Sequence, residues 1–230
     1  AGVLLTLLVL LLVRDSPDCP ELQRAGDSAP GGRGEGLSRP LLGMVLLSAF
    51  LTGGPCGPGF SHLTVLYTSA GFSSGTAALL MSYLGLVLIA AKVLYGWLSD
   101  RLGSRMANSL IFGVFLAGFA LCCLAPTRSL PLAAAAITLT GLGMPLSSVT
   151  LSVWAGDLSA PEDYDRLVKW LSSAYMLGSL VTGPVPGLLA DRFGGSYVPA
   201  YGLFLFFLLI SMLLIQTVYR RTGVGGRPQR

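Results

Sequence analysis

The sequence predicts an all-α, polytopic membrane protein built around a six-helix bundle, and two observations carry that prediction. The chain is 53% hydrophobic and only 11% charged, whereas a soluble domain carries about a quarter charged residues. Apolar stretches of roughly 20 residues, the length a helix needs to cross about 30 Å of hydrocarbon, recur at 41–67, 75–98, 105–125, 131–156, 167–189 and 198–218. Runs such as YGLFLFFLLISMLLIQTVY lack the two-residue alternation of a membrane β-barrel strand, so the spans are read as helices.

Residues 1–13, AGVLLTLLVLLLV, are apolar but too short to cross by themselves and read as the end of a truncated transmembrane helix. A secretory signal is the competing reading, but no charge precedes Arg14, and such a signal has a basic region before its apolar core. Residues 14–39 mix Pro, Gly, Ser and both signs of charge, the composition of a flexible linker. Residues 40–219 hold the six spans, and 220–230 form a basic tail.

In the first span, GGPCGPG from Gly53 to Gly59 interrupts the helical pattern. Irregular backbone at membrane depth is tolerated only against protein or a water-filled cavity. The break therefore lines a substrate path or kinks the helix for packing. His62 follows shortly, a group that either contacts a ligand or bonds a neighbouring helix. The fourth and fifth spans carry hydroxyls at Thr140, Ser147, Ser148, Thr150, Ser172, Ser173, Tyr175 and Ser179, which suit a cavity lining or glue between helices. Tyr175 is the largest of these and a candidate site residue. Ahead of the fifth span, Ser159 to Glu162 has the form of a capping box with Pro161 in the first turn.

Basic residues orient the spans. With the linker in the cytoplasm, Arg14, Arg24, Arg33, Arg39, Arg101, Arg105, Arg166, Lys169, Arg220, Arg221, Arg227 and Arg230 all fall on the cytoplasmic side. Arg128 and Arg192 fall outside and Lys92 lies within a span. The positive-inside rule therefore predicts a multi-pass protein of the cell membrane with cytoplasmic linker and carboxyl terminus. The net charge of +4 reports this topology rather than a nucleic-acid partner.

The chain lacks H-E-x-x-H and G-x-S-x-G motifs and places no carboxylate inside a predicted span to act as general acid or base, which argues against an enzyme. Cys19, Cys56, Cys122 and Cys123 have no metal-ligand or redox spacing, so neither a metal nor another cofactor is implied.

Charge gathers instead in KVLYGWLSDRLGSR, residues 92–105, with an echo in GLLADRFGGSY, residues 187–197. Each copy follows the second helix of a group of three, and the two fall on opposite membrane faces. That pattern predicts two inverted three-helix repeats, as nested in the halves of secondary transporters.

The first copy resembles the signature loop of the major facilitator superfamily, with Gly96, Asp100, Arg101, Gly103 and Arg105 on the pattern and Ser104 where a second basic residue is common. Residues 61–105 and 187–201 are similar to the carboxyl-terminal half of its monocarboxylate and oxalate/formate branch. The resemblance implies the second half of a twelve-helix secondary transporter, residues 1–13 being the end of span six. Its partners would be the amino-terminal half of the same protein, the lipid bilayer and a small-molecule substrate, an organic anion such as a monocarboxylate, moved by alternating access. Efflux of hydrophobic or neutral compounds is the alternative within this fold, and a polytopic membrane sensor is the alternative outside it.

The resemblance also implies residue roles. Gly96, Asp100, Arg101, Gly103 and Arg105 would form a conformational switch, with Asp100 engaging a nearby arginine and the start of the helix near Tyr164. Lys92 stands four residues before the signature glycine, where the family commonly carries a basic residue that pairs with the substrate carboxylate. A lysine offers a point charge there rather than the planar fork of arginine. Independently, a charge at mid-membrane costs on the order of 3 kcal/mol and marks function, and Gly85 and Gly96 share the Lys92 stripe. Lys92, His62 and Tyr175 are the expected substrate-binding residues.

Overall fold

A computed structural model describes residues 37–224. The expected truncated helix at 1–13, nearly all of the expected linker and the end of the tail lie outside the described residues. α1, Arg39–Gly54, opens with Pro40 in its first turn, where a missing N–H costs nothing. It runs on through a π-helical turn at Pro55–Gly59, pauses at His62, and resumes as α2, Leu63–Ser69. α3, Ser74–Leu102, is capped by the Ser73 side chain, which accepts from the Thr76 amide at 3.1 Å. Gly103 alone joins α3 to α4, Ser104–Cys122, and does so at φ 80°, a left-handed backbone that only glycine adopts without strain.

α5, Leu130–Gly143, is followed by a 3₁₀ turn at Met144–Ser147 and then α6, Val149–Leu158. α7, Tyr164–Thr182, α8, Val185–Arg192, and α9, Val198–Thr222, complete the described chain. No strand occurs among the described residues.

Among the described residues, five segments are long and apolar enough to cross a membrane: Arg39–Gly59, Ser74–Leu102, Ser104–Cys122, Leu130–Ser147 and Val198–Thr222. The expected fifth span is the exception. It is helical, as α7 and α8 divided at Gly183–Pro184, but Asp165, Arg166, Lys169 and its hydroxyls lower its apolarity. The expected capping box is also corrected. Pro161–Asp163 form a 3₁₀ turn with no side-chain cap, and the Ser159 hydroxyl turns back to donate to the Ala155 carbonyl at 2.7 Å, closing α6 instead of opening α7.

The packing obeys the exchange of one three-helix group for the other. α1 packs on α7 as α5 packs on α3; α4 packs on α5 as α9 packs on α1; and α4 meets α9. Both first helices of the repeats are interrupted, one by the π turn and the other by the 3₁₀ turn, and these two turns touch. Neither interruption creates a gap. Gly57 lies against Ser179, Gly59 sits beside Phe119 and Phe204, and the Tyr201 hydroxyl donates to the Gly59 carbonyl at 2.7 Å. The GGPCGPG segment therefore shapes packing in this half.

Glycines set the closest approach. A Cβ on Gly178 would collide with the Phe50 carbonyl, and one on Gly53 would lie 2.6 Å from the Ser179 amide nitrogen. Small residues that let backbones meet are how helices associate where lipid removes the hydrophobic drive. Below the interrupted turns the core is aromatic: Phe119 packs on Phe115 at 4.9 Å and on Tyr201 at 5.4 Å, all fully buried.

Candidate functional site

α3 has one buried stripe and two exposed faces that differ in kind. The buried stripe is Ala77, Leu80, Leu84, Val87, Ala91 and Tyr95. On one side of it Leu79, Leu86, Val93 and Trp97 are exposed by 50–72%, a bulky apolar surface suited to lipid. On the other side Ser82, Gly85, Lys92, Gly96 and Asp100 form a strip of small and polar residues around the exposed Ile89, by the 100° step of the helix. Nothing lies within 4 Å of a Cβ built on Gly85 or Gly96. Lys92 is thus exposed on the surface of this bundle, flanked by two positions with no neighbour.

α7 repeats the division. Leu167, Leu171, Gly178 and Thr182 are buried, Trp170, Leu177, Leu180 and Val181 form the exposed apolar face, and Asp165, Lys169, Ser172 and Ser179 lie on a more polar side that also carries the exposed Met176. Tyr175 is half-buried between the buried stripe and that polar side, packed against the core. α3 and α7 each pack on a central helix, α5 and α1 respectively. Lys92 and Tyr175 therefore stand on repeat-related outer helices and make no site together within this half.

His62 lies apart from both. It is half-buried where α1 pauses, its Nδ1 lies 2.8 Å from the Pro58 carbonyl, and its ring stacks on Tyr197 at 6.0 Å. This is the end of the bundle that also carries Arg128, whose Nε donates to the Ala70 carbonyl at 2.9 Å across Gly71. A cavity of about 260 Å³ lined by Ser69, Arg128 and Ser196 opens there.

The signature residues occupy the other end. Asp100 is exposed on the last turn of α3, and the Arg101 guanidinium covers the Trp97 ring at 4.9 Å, a cation–π contact. Gly103 is buried in the one-residue turn, and the half-buried Arg105 follows it on α4. The Arg105 carbonyl and the Ser109 hydroxyl both lie within reach of the Gln216 amide nitrogen, at 3.5 and 2.6 Å, joining α4 to α9.

Sequence reasoning missed a buried polar chain beside this loop. The Tyr95 hydroxyl donates to Asn108 Oδ1 at 2.7 Å, Asn108 Nδ2 donates to the Tyr219 hydroxyl at 3.3 Å, and Tyr219 donates to Asp157 Oδ2 at 2.6 Å. It crosses α3, α4, α9 and α6 in turn. Tyr95, Asn108 and Tyr219 are fully buried. Two signals could have found it: an amide inside an apolar span, and an aspartate directly after the predicted span 131–156.

An all-α bundle with interrupted first helices, two packing-related groups of three, and a glycine turn carrying Asp100 and two arginines defines a polytopic membrane protein of the transporter type. The family model described as Major Facilitator Superfamily matches residues 1–166 and, in a second match, 45–229, and the chain belongs to that superfamily. Among its relatives, the chain is 28% identical over 162 residues to monocarboxylate transporter 12 of Rattus norvegicus, covering 70% of this chain and 33% of the relative. The human protein of that name matches at 28% over 162 residues, 70% of this chain and 31% of the relative. That of Xenopus laevis matches at 25% over 189 residues, 78% and 39% respectively. The chain thus spans about a third of the length of these relatives.

Proposed function

We propose that this chain forms the carboxyl-terminal six-helix half of a secondary transporter that moves a small organic anion, of the monocarboxylate class, by alternating access. The observation that carries the reading is the open strip on α3. An exposed lysine within a membrane-crossing helix, between two glycines with no neighbour within 4 Å of their Cβ positions, is suited to a cavity shared with a second six-helix bundle. Lys92 supplies the charge for a carboxylate, and its single ammonium contacts one oxygen at a time. Tyr175, on the repeat-related helix, borders the same shared space, and His62 stands nearer the mouth. Similarity to proteins named monocarboxylate transporters supports the anion as cargo.

In this reading the Arg39 end of α1 and the Thr222 end of α9 face the cytoplasm, and the loop from Gly96 to Arg105 closes that side. Chemistry on the substrate is not required of any residue: the protein binds, changes its exposure and releases. The test is uptake of a labelled monocarboxylate by cells expressing the full-length protein. Lys92→Gln abolishes uptake while leaving the amount at the membrane unchanged, and Lys92→Arg retains part of it. Normal uptake by Lys92→Gln, or competition by neutral and cationic compounds alone, would reject the reading.

A further inference from the structure

The buried chain from Tyr95 to Asp157 is placed where it controls how α3 presents Lys92. Lys92 and Tyr95 are three residues apart on one helix, about one turn, and Tyr95 is the last residue of the buried stripe. The flanking glycines Gly85 and Gly96 grip nothing, and the lipid-side face of α3 is open. Near its Gly103 end the rotation of α3 is therefore set by the buried stripe and, within it, by the Tyr95 hydroxyl, which is pinned to another helix.

The pin is directional. Each donor in the series points toward Asp157, and the Asn108 amide is used on both its oxygen and its nitrogen. Asn108 cannot turn over without breaking both bonds, so Tyr95 is held in one orientation only while Tyr219 keeps its carboxylate acceptor. Asp157 is half-buried at the end of α6 and is the charged terminus of the series. One turn earlier on the same face of α6, Trp154 is fully buried, stacked on Phe112 at 6.3 Å, and its Nε1 is the only buried side-chain nitrogen or oxygen without a partner among the described residues.

We infer that Asp157 is a positioning residue for the Lys92 site, acting through Tyr219 and Asn108 to hold Tyr95 and hence the rotation of α3. The inference rests on Lys92 facing a shared cavity, as proposed above. It assigns to a carboxylate on α6 an effect on a lysine of α3 that it does not touch.

The experiment uses the full-length protein in membranes and reads two quantities. The first is the reaction rate of a cysteine at position 92, introduced as Lys92→Cys, with a charged methanethiosulfonate and no substrate present. Tyr219→Phe, Tyr95→Phe and Asp157→Ala each change that rate at least about threefold, and the Asp157→Ala, Tyr219→Phe pair changes it no more than either alone, the behaviour of residues acting in one series. The second is transport with Lys92 intact, where the same substitutions raise KM about fivefold and leave the maximal rate within about twofold. Tyr83→Phe serves as control: it deletes a hydroxyl on α3 that bonds Thr138 at 2.9 Å away from the series, and it leaves both readouts unchanged.

Should Asp157→Ala fail to reach the membrane, the two phenylalanine variants, each lacking one oxygen, carry the test. Unchanged reactivity at position 92, strictly additive effects, or an equal response to Tyr83→Phe overturns the inference. Altered reactivity in Tyr219→Phe alongside normal transport by Lys92→Gln sustains the positioning role and removes the anion-site reading.

Discussion

Ser48 on α1 and Ser211 on α9 hold each other across the helix contact: their hydroxyl oxygens are 2.7 Å apart, and each lies within 3.1 Å of the other's carbonyl. Both are fully buried. Reciprocal bonding of this kind satisfies two polar groups where no water competes, and it fixes the register of the first helix of one repeat against the third of the other.

Ser48→Ala and Ser211→Ala each lower the stability of the full-length protein in detergent by about 1 kcal/mol, within the range measured for hydrogen bonds between membrane helices. Because either change breaks the shared pair, the double substitution costs little more than one. A thermal-unfolding double-mutant cycle reads this directly, and fully additive losses would show that the two hydroxyls act separately.

Gly178→Ala prevents correct packing of α1 on α7, because the added Cβ meets the backbone carbonyl of Phe50 and backbone cannot swing aside as a side chain can. Gly187→Ala, with nothing within 4 Å of its Cβ, is tolerated. Surface amounts and detergent stability of the two variants are the comparison, and equal behaviour of both would contradict the packing described.

Asp100→Asn slows cycling more than it weakens binding, since Asp100 sits on the last turn of α3, about two turns beyond Lys92. Maximal transport falls at least about fivefold with KM within about twofold. An unchanged maximal rate would leave Asp100 as a solvated residue of a turn.

Cysteines at Thr127 and Phe193 react with an impermeant reagent added outside intact cells, and cysteines at Leu102 and Val224 do not, in a background lacking Cys19 and Cys123. All four substituted positions are exposed, so protection reports the membrane side and not burial. The reverse pattern would invert the orientation drawn from the basic residues.

Fold class, the helical spans and the family were legible in the chain because lipid imposes a one-dimensional rule: a crossing segment must be helical and apolar for about 20 residues. Gly103 was marked by its place in the signature-loop pattern, and the structure gives it a one-residue turn at φ 80° that leaves little choice of residue. Lys92 was legible as a charge that the membrane would not tolerate idly, and its flanking Gly85 and Gly96 as a stripe.

What the sequence alone left undecided depended on which faces meet. It had two readings for GGPCGPG, and packing against Ser179, Phe119 and Phe204 decided for helix packing. It left Asp157 just outside the span 131–156 with no partner assigned, because hydropathy averages over neighbours and cannot see Tyr219 arrive from 62 residues away. It could not say that Gly85 and Gly96 beside Lys92 face no neighbour in this bundle, nor that Tyr95 is bonded to Asn108 one turn from it. Composition and periodicity act along the chain, whereas a hydrogen bond or a backbone collision acts between elements whose separation in sequence carries no fixed signal; only the folded packing of α3, α4, α6 and α9 brings those groups together.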